Sequence, residues 1–187
     1  MVGAITAATV AFTEYAKSAI AAADEDNKLT KSFRAIIGDA EKTSKVLDDL
    51  GNFAGFTAFT GEDVKAVALR LLQTRVAAED LIPTLAGLGG AAQGNVETFK
   101  ALVGQFQSLA DSPKVSLKSI RAFADNGVDA LGLLSEAVGQ TREQFANNIN
   151  QMNMSGADAA RLLLAKSAEK FGATMLSDVE NIDHLLA

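Results

Sequence analysis

The stretch Val115–Phe145, VSLKSIRAFADNGVDALGLLSEAVGQTREQF, decides the fold, because its apolar runs are short and the turns between them are specified by residue type. Ser116 is placed to cap a first helix. Asn126-Gly127 is placed to end it, since glycine adopts the left-handed conformation without a steric penalty. The apolar face of this helix is predicted to consist of Leu117, Ile120, Phe123 and Ala124.

Two more short helices follow in the same stretch. Asp129 can cap the second helix, and Gly139 can stop it. Thr141 can open the third, in which Gln144 stands at the position that completes a capping box. The inward residues of the second helix are predicted to be Leu131, Leu134 and Val138. The stretch therefore predicts short helices folded back on one another.

The composition of the whole chain favours the same fold class. At 187 residues the chain can bury a substantial core, and its 48% hydrophobic content is rich in alanine and includes ten phenylalanines. Few segments alternate with the period of two that is typical of strands. We therefore predict an all-α fold, a compact bundle of several short helices joined by glycine-capped turns.

Helical spacing of apolar residues extends outward from this stretch in both directions. Gly38 is predicted to separate two helices, and Gly172 is predicted to end or interrupt the last one. The predicted helices are Ala4–Ala23, Thr30–Gly38, Gly38–Gly51, a segment from Thr60, a segment from about Ala78, Val96–Leu109 and a long segment from Ser155. Their inward residues are predicted to include Phe33, Ile36, Ile37, Val46, Leu47, Leu50, Val64, Val67, Ala68, Leu71, Leu72, Phe99, Leu102, Val103, Phe106, Leu162, Leu163, Ala165, Ala168 and Phe171.

Two glycine-containing segments are predicted to lie outside helices. The segment Gly51–Thr60, GNFAGFTAFT, is typical of a loop that fills the core with aromatic side chains. The residues predicted to do so, in preference to forming an aromatic ligand cage, are Phe53, Phe56 and Phe59. The segment Gly87–Ala92 matches the glycine pattern of dinucleotide-binding loops, but a leucine-rich helical segment precedes it where that pattern requires a strand. We therefore predict a helix end there, with a flexible loop through Gly94.

Charge and residue types argue against several functional classes. A formal charge of −6 and a pI near 4.8 disfavour a dedicated nucleic-acid binder, which needs clustered Lys and Arg. The small basic stripe of Lys114, Lys118 and Arg121 is interpreted as a solvated face, in preference to a contact with DNA or an acidic partner. The absence of cysteine excludes disulfides, thiolate nucleophiles and zinc–thiolate sites. We expect no cofactor and no metal site.

Residues that could form a catalytic site are scarce, and we predict that the chain is not an enzyme. His184 is the only histidine, so neither a histidine triad nor a multi-histidine metal site can be assembled. Its place near the end of the chain favours a solvent-exposed side chain. The acidic clusters suit helix starts and polar faces better than paired-carboxylate hydrolysis, which requires burial of one acid. These clusters are Asp24/Glu25/Asp26, Asp48/Asp49, Glu62/Asp63 and Glu79/Asp80.

The alanine-rich N-terminal segment is predicted to form an ordinary amphipathic helix. It lacks the basic start of a signal peptide, and Glu14 and Lys17 interrupt its apolar run. These charges also make the segment too polar to span a bilayer. Contact with a membrane surface stays open as an alternative.

Taken in order, these turns and caps resemble the tape measure domain found toward the N-terminal part of many phage and prophage tail tape measure proteins. The resemblance covers about Leu29–Asp178, and it is carried by the order and spacing of pieces that are individually unspecific. These pieces are Phe33, Gly38–Lys42, Leu47–Ala54, Phe59, Leu71-Leu72, Ala78–Leu85, Leu88-Gly89, Gly104-Gln105, Val115–Leu117, Asn126–Val128, Leu133–Gly139 and Lys170–Gly172.

The resemblance also implies how the chain is divided. It implies an N-terminal helix and polar linker at 1–28, the tape measure helical domain at 29–178, and the start of a truncated C-terminal helical extension at 179–187. Two departures concern loop geometry. Family members usually carry a proline where this chain has Gly55–Phe59, and a glycine-bearing turn where it has Asp111–Lys114.

The function that the resemblance implies is structural. It implies a role in tail assembly and tail length determination, with the chain occupying the lumen of the tail tube. The implied partners are tail tube, tail tip and tail assembly chaperone proteins, with self-association as a further option. The implied location is the virion tail, and the host cytoplasm during assembly. The family has no catalytic motif, so no functional residue is carried over.

The length of the chain restricts this role. A fully helical chain of this size would reach only about 280 Å at the helical rise per residue. We therefore expect a fragment of a longer protein whose helical ruler lies elsewhere. Three alternatives stay open: a helical interaction or adaptor module unrelated to tails, a cell-wall hydrolase, and a membrane-active role for the N-terminal helix.

Overall fold

The structure, a computed structural model, describes the backbone of residues 27–183 and the side chains of residues 27–173. Over that part of the chain it is all-α and contains no strand, which confirms the predicted fold class. The chain divides into two compact units, one ending at Ser44 and the other beginning at Lys45. The predicted divisions after residues 28 and 178 stay predictions, and the predicted helix Ala4–Ala23 lies outside the described residues.

In the first unit, a turn separates two helices. Helix α1 (residues 27–37) is followed by Gly38, whose φ of 76° is left-handed, in agreement with the turn predicted there. Asp39 then caps helix α2 (Ala40–Gly55), because its Oδ1 accepts a hydrogen bond from the Lys42 backbone N–H at 2.8 Å.

The second unit contains the rest of α2 and all later elements. In chain order these are α3 (Gly61–Gln73), a 3₁₀ helix (Ala78–Asp80), α4 (Leu81–Ala91), α5 (Val96–Ala110), α6 (Leu117–Arg121), a second 3₁₀ helix (Ala122–Asn126), α7 (Ala130–Ala137), α8 (Arg142–Asn148) and α9 (Gly156–Asp183). Helix α9 packs most extensively on α4, and it also contacts α5 and α7. The α4–α9 pair is therefore the centre of this unit.

Side-chain caps begin most helices of the second unit. The residues that accept a hydrogen bond from the backbone N–H three residues further on are Thr60, Asn95, Ser116, Asp129, Thr141 and Ser155. These bonds satisfy N–H groups that the start of a helix leaves unpaired. Ser116, Asp129 and Thr141 are predicted as caps from the sequence, and Thr60 and Ser155 are predicted as helix starts. The predicted capping box of Thr141 with Gln144 is confirmed.

Most residues predicted to face inward are buried. Aromatic pairs anchor the core of the second unit: Phe59 and Phe99 stack with ring centroids 4.3 Å apart, and Phe106 and Phe123 meet edge to face at 4.8 Å. The confirmed residues are Phe33, Val46, Leu50, Phe53, Phe59, Val64, Val67, Ala68, Leu71, Leu72, Phe99, Leu102, Val103, Phe106, Ile120, Phe123, Leu134 and Leu163. The residues that are half-buried are Leu47, Leu117, Leu131, Val138, Leu162, Ala168 and Phe171.

Four predicted inward residues are exposed. One of them is Ile36 on α1, which is 43% exposed, whereas its neighbour Ile37 is half-buried. The prediction is wrong for Ala124 and Ala165, which lie on the solvent side of their helices. It is also wrong for Phe56, which follows α2 and is 40% exposed. Small alanine side chains give a weak inward signal, because their burial contributes little apolar area.

The predicted loop Gly51–Thr60 is shorter than expected. Helix α2 continues past Gly51 to Gly55, so Phe53 lies on a helix and not in a loop. Val46, Leu50 and Phe53 recur at helical spacing and are all buried, and this continuous apolar face extends the helix beyond a glycine that is itself exposed.

A helix does end within Gly87–Ala92, as predicted, but the glycines of this segment do not end it. Gly87, Gly89 and Gly90 lie inside α4, which ends only at Ala91. Gly172 similarly lies inside α9 and does not end or interrupt it. Gly87 and Gly90 serve the contact between the two helices, as their surroundings show.

Candidate interaction surface

The contact between α4 and α9, which we call the seam, brings two backbones unusually close together. A Cβ atom built on Gly87 would lie 2.6 Å from both the Cα and the N of Ala168. A Cβ atom on Gly90 would lie 2.5 Å from the carbonyl oxygen of Phe171. Because neither glycine has a side chain, the two helices approach at distances that any larger residue would prevent. The seam fixes the position of α9 against the second half of α4.

A groove of about 500 Å³ lies beside the seam, where the turn after α3 and the start of α4 meet the first half of α9. We call it the arginine groove. Its apolar lining includes Val76, Pro83 and Leu164, and its charged lining residues are Arg75, Asp80 and Arg161. An apolar groove with a few charged groups is the usual form of a binding site.

The turn that carries Arg75 is a Schellman motif, in which the residue after the helix cap is left-handed. The Arg75 N–H donates to the Leu72 carbonyl at 3.0 Å, and the Val76 N–H donates to the Leu71 carbonyl at 3.1 Å. Arg75 has a φ of 67°. Residues other than glycine seldom adopt this conformation, because the Cβ atom approaches the following carbonyl oxygen.

Three other helices of the second unit end in the same hydrogen-bonded motif. Their left-handed residues are Gln93, Gly127 and Gly139, with φ values of 51°, 77° and 68°. Glycine thus occupies two of the four positions, as expected. Arg75 lines the arginine groove. Gln93 lines a second, polar groove of about 440 Å³, which the turn glycine Gly127 also lines.

The two arginines that line the groove form few ion pairs within the described part of the chain. Arg75 forms no ion pair with the residues that the structure describes. Arg161 pairs with Asp158 on the same helix at 3.3 Å, with both side chains largely exposed. Such surface pairs contribute little stability. The groove lining therefore holds two cations against the single carboxylate of Asp80, in a chain whose formal charge is −6.

The described acidic pairs have structural roles or face solvent. The Lys100 Nζ forms an ion pair with Oδ1 of Asp63 at 2.6 Å, and this pair links α3 to α5. The hydrogen bond from Lys100, followed by that from the Thr60 hydroxyl at 2.8 Å, lowers the pKa of Asp63. None of the pairs Asp48/Asp49, Glu62/Asp63 and Glu79/Asp80 is buried. Within the described residues, no group of three or more His, Cys, Asp or Glu could hold a metal ion.

The predicted basic stripe is only partly free. Lys118 and Arg121 lie on α6 and are exposed. The Lys114 ammonium, in contrast, donates to the Asn150 carbonyl at 2.6 Å. Two remaining cations on a short helix are a small target for phosphate contacts, which accumulate with the number of charges. His184 and Asp24/Glu25/Asp26 lie outside the described side chains.

Sequence reasoning missed the arginine groove. Arg75 does stand where a helix ends and where glycine is the usual residue, which is a local signal. Arg161 lies 86 positions later on another helix, and only the close α4–α9 packing brings both into one lining.

Comparisons with known proteins give no match to this chain, whether with protein-family models, with curated proteins or with solved structures. Among the helices that the structure describes, none is both long enough and apolar enough to cross a membrane.

Proposed function

We propose that the chain is a helical, non-enzymatic domain of a phage tail tape measure protein, which acts in tail assembly and in the determination of tail length. The observation that carries this proposal is the ordered resemblance over Leu29–Asp178. Its pieces are short, but they occur in the family's order and at the family's spacing.

Several of these pieces coincide with residues that set the turns of the fold. Val115–Leu117 contains the cap of α6, and Asn126–Val128 contains the left-handed Gly127. Leu133–Gly139 ends in the left-handed Gly139, and Ala78–Leu85 spans the first 3₁₀ helix and the start of α4. Residues that set turns are less interchangeable than apolar core residues, so their agreement supports the proposal more strongly.

In this role the domain assembles with tail tube, tail tip and tail assembly chaperone proteins, first in the host cytoplasm and then in the virion tail. The parent protein occupies the lumen of the tail tube. A helix of the length of this chain spans at most about 280 Å, so the ruler itself is a longer helical region of the parent protein.

Tail length provides the test. In-frame deletions and duplications in the helical region of the parent gene should change tail length in electron micrographs by about 1.5 Å per residue. A matched control replaces a segment by an unrelated helical sequence of equal length, which should leave tail length unchanged. Tails of constant length across the deletion series would contradict the ruler function of the parent protein.

A helical adaptor module that has no connection with tails is the second candidate. The arginine groove favours it, because a surface groove with charged lining residues is useful to any protein that docks partners. Co-purification of the full chain with tail tube or tail tip proteins would support the tail function. Recovery of unrelated cytoplasmic partners alone would support the adaptor. Degradation of peptidoglycan by the purified chain would contradict both.

A further inference from the structure

We propose that the arginine groove is a docking site for an acidic segment of a partner protein, which places a side-chain carboxylate between Arg75 and Arg161. The proposal concerns the groove alone and holds for a tail protein and for an adaptor equally.

The backbone at Arg75 is the first argument. Two of the four Schellman motifs carry glycine at the left-handed position, so this fold readily uses glycine there. Glycine at position 75 would relieve the backbone without disturbing the two hydrogen bonds of the motif, since both are made by backbone atoms. What glycine would lack is the charged side chain of a residue that lines the groove. Strained residues cluster at binding sites, where the side chain is needed in spite of the strain.

Charge is the second argument. The groove carries Arg75 and Arg161 against Asp80, and Arg161 has only an exposed partner in Asp158. Arginine binds carboxylates through two parallel hydrogen bonds, so a carboxylate is the group that this lining is best suited to receive. The formal charge of −6 repels a polyanion such as a nucleic acid over longer distances, which favours a peptide with few charges.

The apolar lining is the third argument. Val76, Pro83 and Leu164 offer surface to the uncharged part of a ligand, and a volume of about 500 Å³ is enough for several small side chains. A free carboxylate ion would leave this surface unused. A peptide segment that carries a glutamate beside alanine or valine side chains would use both kinds of lining.

The direct test is a titration of the full 187-residue chain, followed by amide chemical shifts in NMR spectra. The probe is an alanine-based peptide of fifteen residues that carries two glutamates four positions apart, and the matched control peptide carries glutamines instead. We expect shifts that concentrate at residues 74–84 and 157–168 with the glutamate peptide, and binding at least tenfold weaker with the glutamine peptide. Equal binding of the two peptides, or no binding of either, would overturn the proposal.

Variants assign the effect to the groove. We expect Arg75→Gly to weaken binding about tenfold, since a charge-assisted hydrogen bond is lost, while the chain stays folded. Arg161→Gln should have a similar effect. Gln93→Gly is the matched control, because it makes the same backbone change at the other non-glycine turn, and it should bind like the parent chain. Wild-type affinity in Arg75→Gly would overturn the proposal. Identical shifts with acetate, at the same concentration of carboxylate, would overturn the assignment to a peptide.

Discussion

Glycine is needed at the seam positions Gly87 and Gly90 and at the turn positions Gly127 and Gly139 for different physical reasons. At Gly127 and Gly139 the space around an added Cβ is empty, and the left-handed backbone is what favours glycine. At Gly87 and Gly90 the backbone is an ordinary α-helix, and the missing Cβ is what allows α9 to approach. One pair is required by its own conformation, and the other pair is required by a neighbour far along the chain.

The turn glycines are required by local backbone conformation, whereas the seam glycines are required by tertiary packing. A turn glycine can be exchanged for another residue at the cost of local strain alone, and the helices around it keep their places. A seam glycine cannot be exchanged without moving one central helix against the other. We therefore expect substitutions in the seam to be the more damaging.

Gly87→Ala should lower the free energy of unfolding by about 3 kcal/mol, because the new methyl group meets the backbone at Ala168, which cannot turn aside as a side chain could. Urea unfolding followed by circular dichroism measures the loss. The matched control is Gly104→Ala on α5, where an added Cβ has no atom within 4 Å. That change should stabilise the chain by about 0.5 to 1 kcal/mol through helix propensity. Equal effects of the two variants would contradict the close approach at the seam.

Gly127→Ala and Gly139→Ala should each cost about 1 to 2 kcal/mol, the price of a left-handed alanine. The same unfolding experiment measures it. Gly127→Asn is the control, because asparagine tolerates this conformation better, and it should lose less stability than the alanine variant. A cost as large as that of Gly87→Ala would mean that these turns also hold tertiary contacts, and the distinction between the two kinds of glycine would fail.

Ser167→Ala tests a polar group at the seam. Ser167 is 1% exposed, and its hydroxyl has no hydrogen-bond partner among the described residues. Removing an unsatisfied buried hydroxyl should raise the free energy of unfolding by about 1 kcal/mol. Ser135 is the control: it is also buried, but its hydroxyl donates to the Gly132 carbonyl at 2.9 Å, so Ser135→Ala should not stabilise. Destabilisation by Ser167→Ala would indicate an internal water or a partner of this hydroxyl.

Features set by residues close in the sequence could be predicted, and features set by tertiary contacts could not. The caps Thr60, Ser116, Asp129 and Thr141 form hydrogen bonds three residues away, so sequence patterns identify them. The glycines of α4 were predicted as a helix end, because nothing within a few residues of Gly87 indicates that Ala168 will lie against it. The all-α class was predicted correctly, since it follows from spacing and composition.

The candidate site was missed for the same physical reason. The groove is formed by the turn after α3, the start of α4 and the first half of α9, so its two arginines belong to one lining only after the seam has formed. The acidic pairs, in contrast, were interpreted from local position as helix-start and surface residues, and the structure leaves the described ones unburied.

Arg75 occupies a turn position that glycine occupies in two other Schellman motifs of this unit. Replacing a left-handed arginine by glycine removes backbone strain, although glycine also gains freedom in the unfolded chain. We expect a net stabilisation of about 0.5 kcal/mol in urea unfolding, since the two effects partly cancel. Gln93→Gly should behave in the same way, because its φ of 51° is also left-handed. A loss of stability in Arg75→Gly alone would mean that the arginine side chain stabilises the folded chain without any partner.

The smallest effect should come from the cap of α3, and it should depend on pH. Asp63 receives hydrogen bonds from Lys100 and from the Thr60 hydroxyl, and these lower its pKa below the unfolded value of about 3.9. Because the folded-state pKa is the lower one, the stabilisation is fully present above pH 3.9 and is lost as the pH falls through the folded-state pKa. The difference in unfolding free energy between the parent chain and Asp63→Asn should therefore be constant near neutral pH and shrink below about pH 4.

Lys100→Met identifies the source of this dependence. Since Lys100 is the largest cause of the lowered pKa, its removal should bring the pKa of Asp63 closer to the unfolded value and flatten the pH profile, while the Thr60 cap remains. An unchanged profile in Lys100→Met would assign the effect to the cap alone. In that case the link between α3 and α5 would depend on apolar packing, and the turns of this chain would be held only by local bonds.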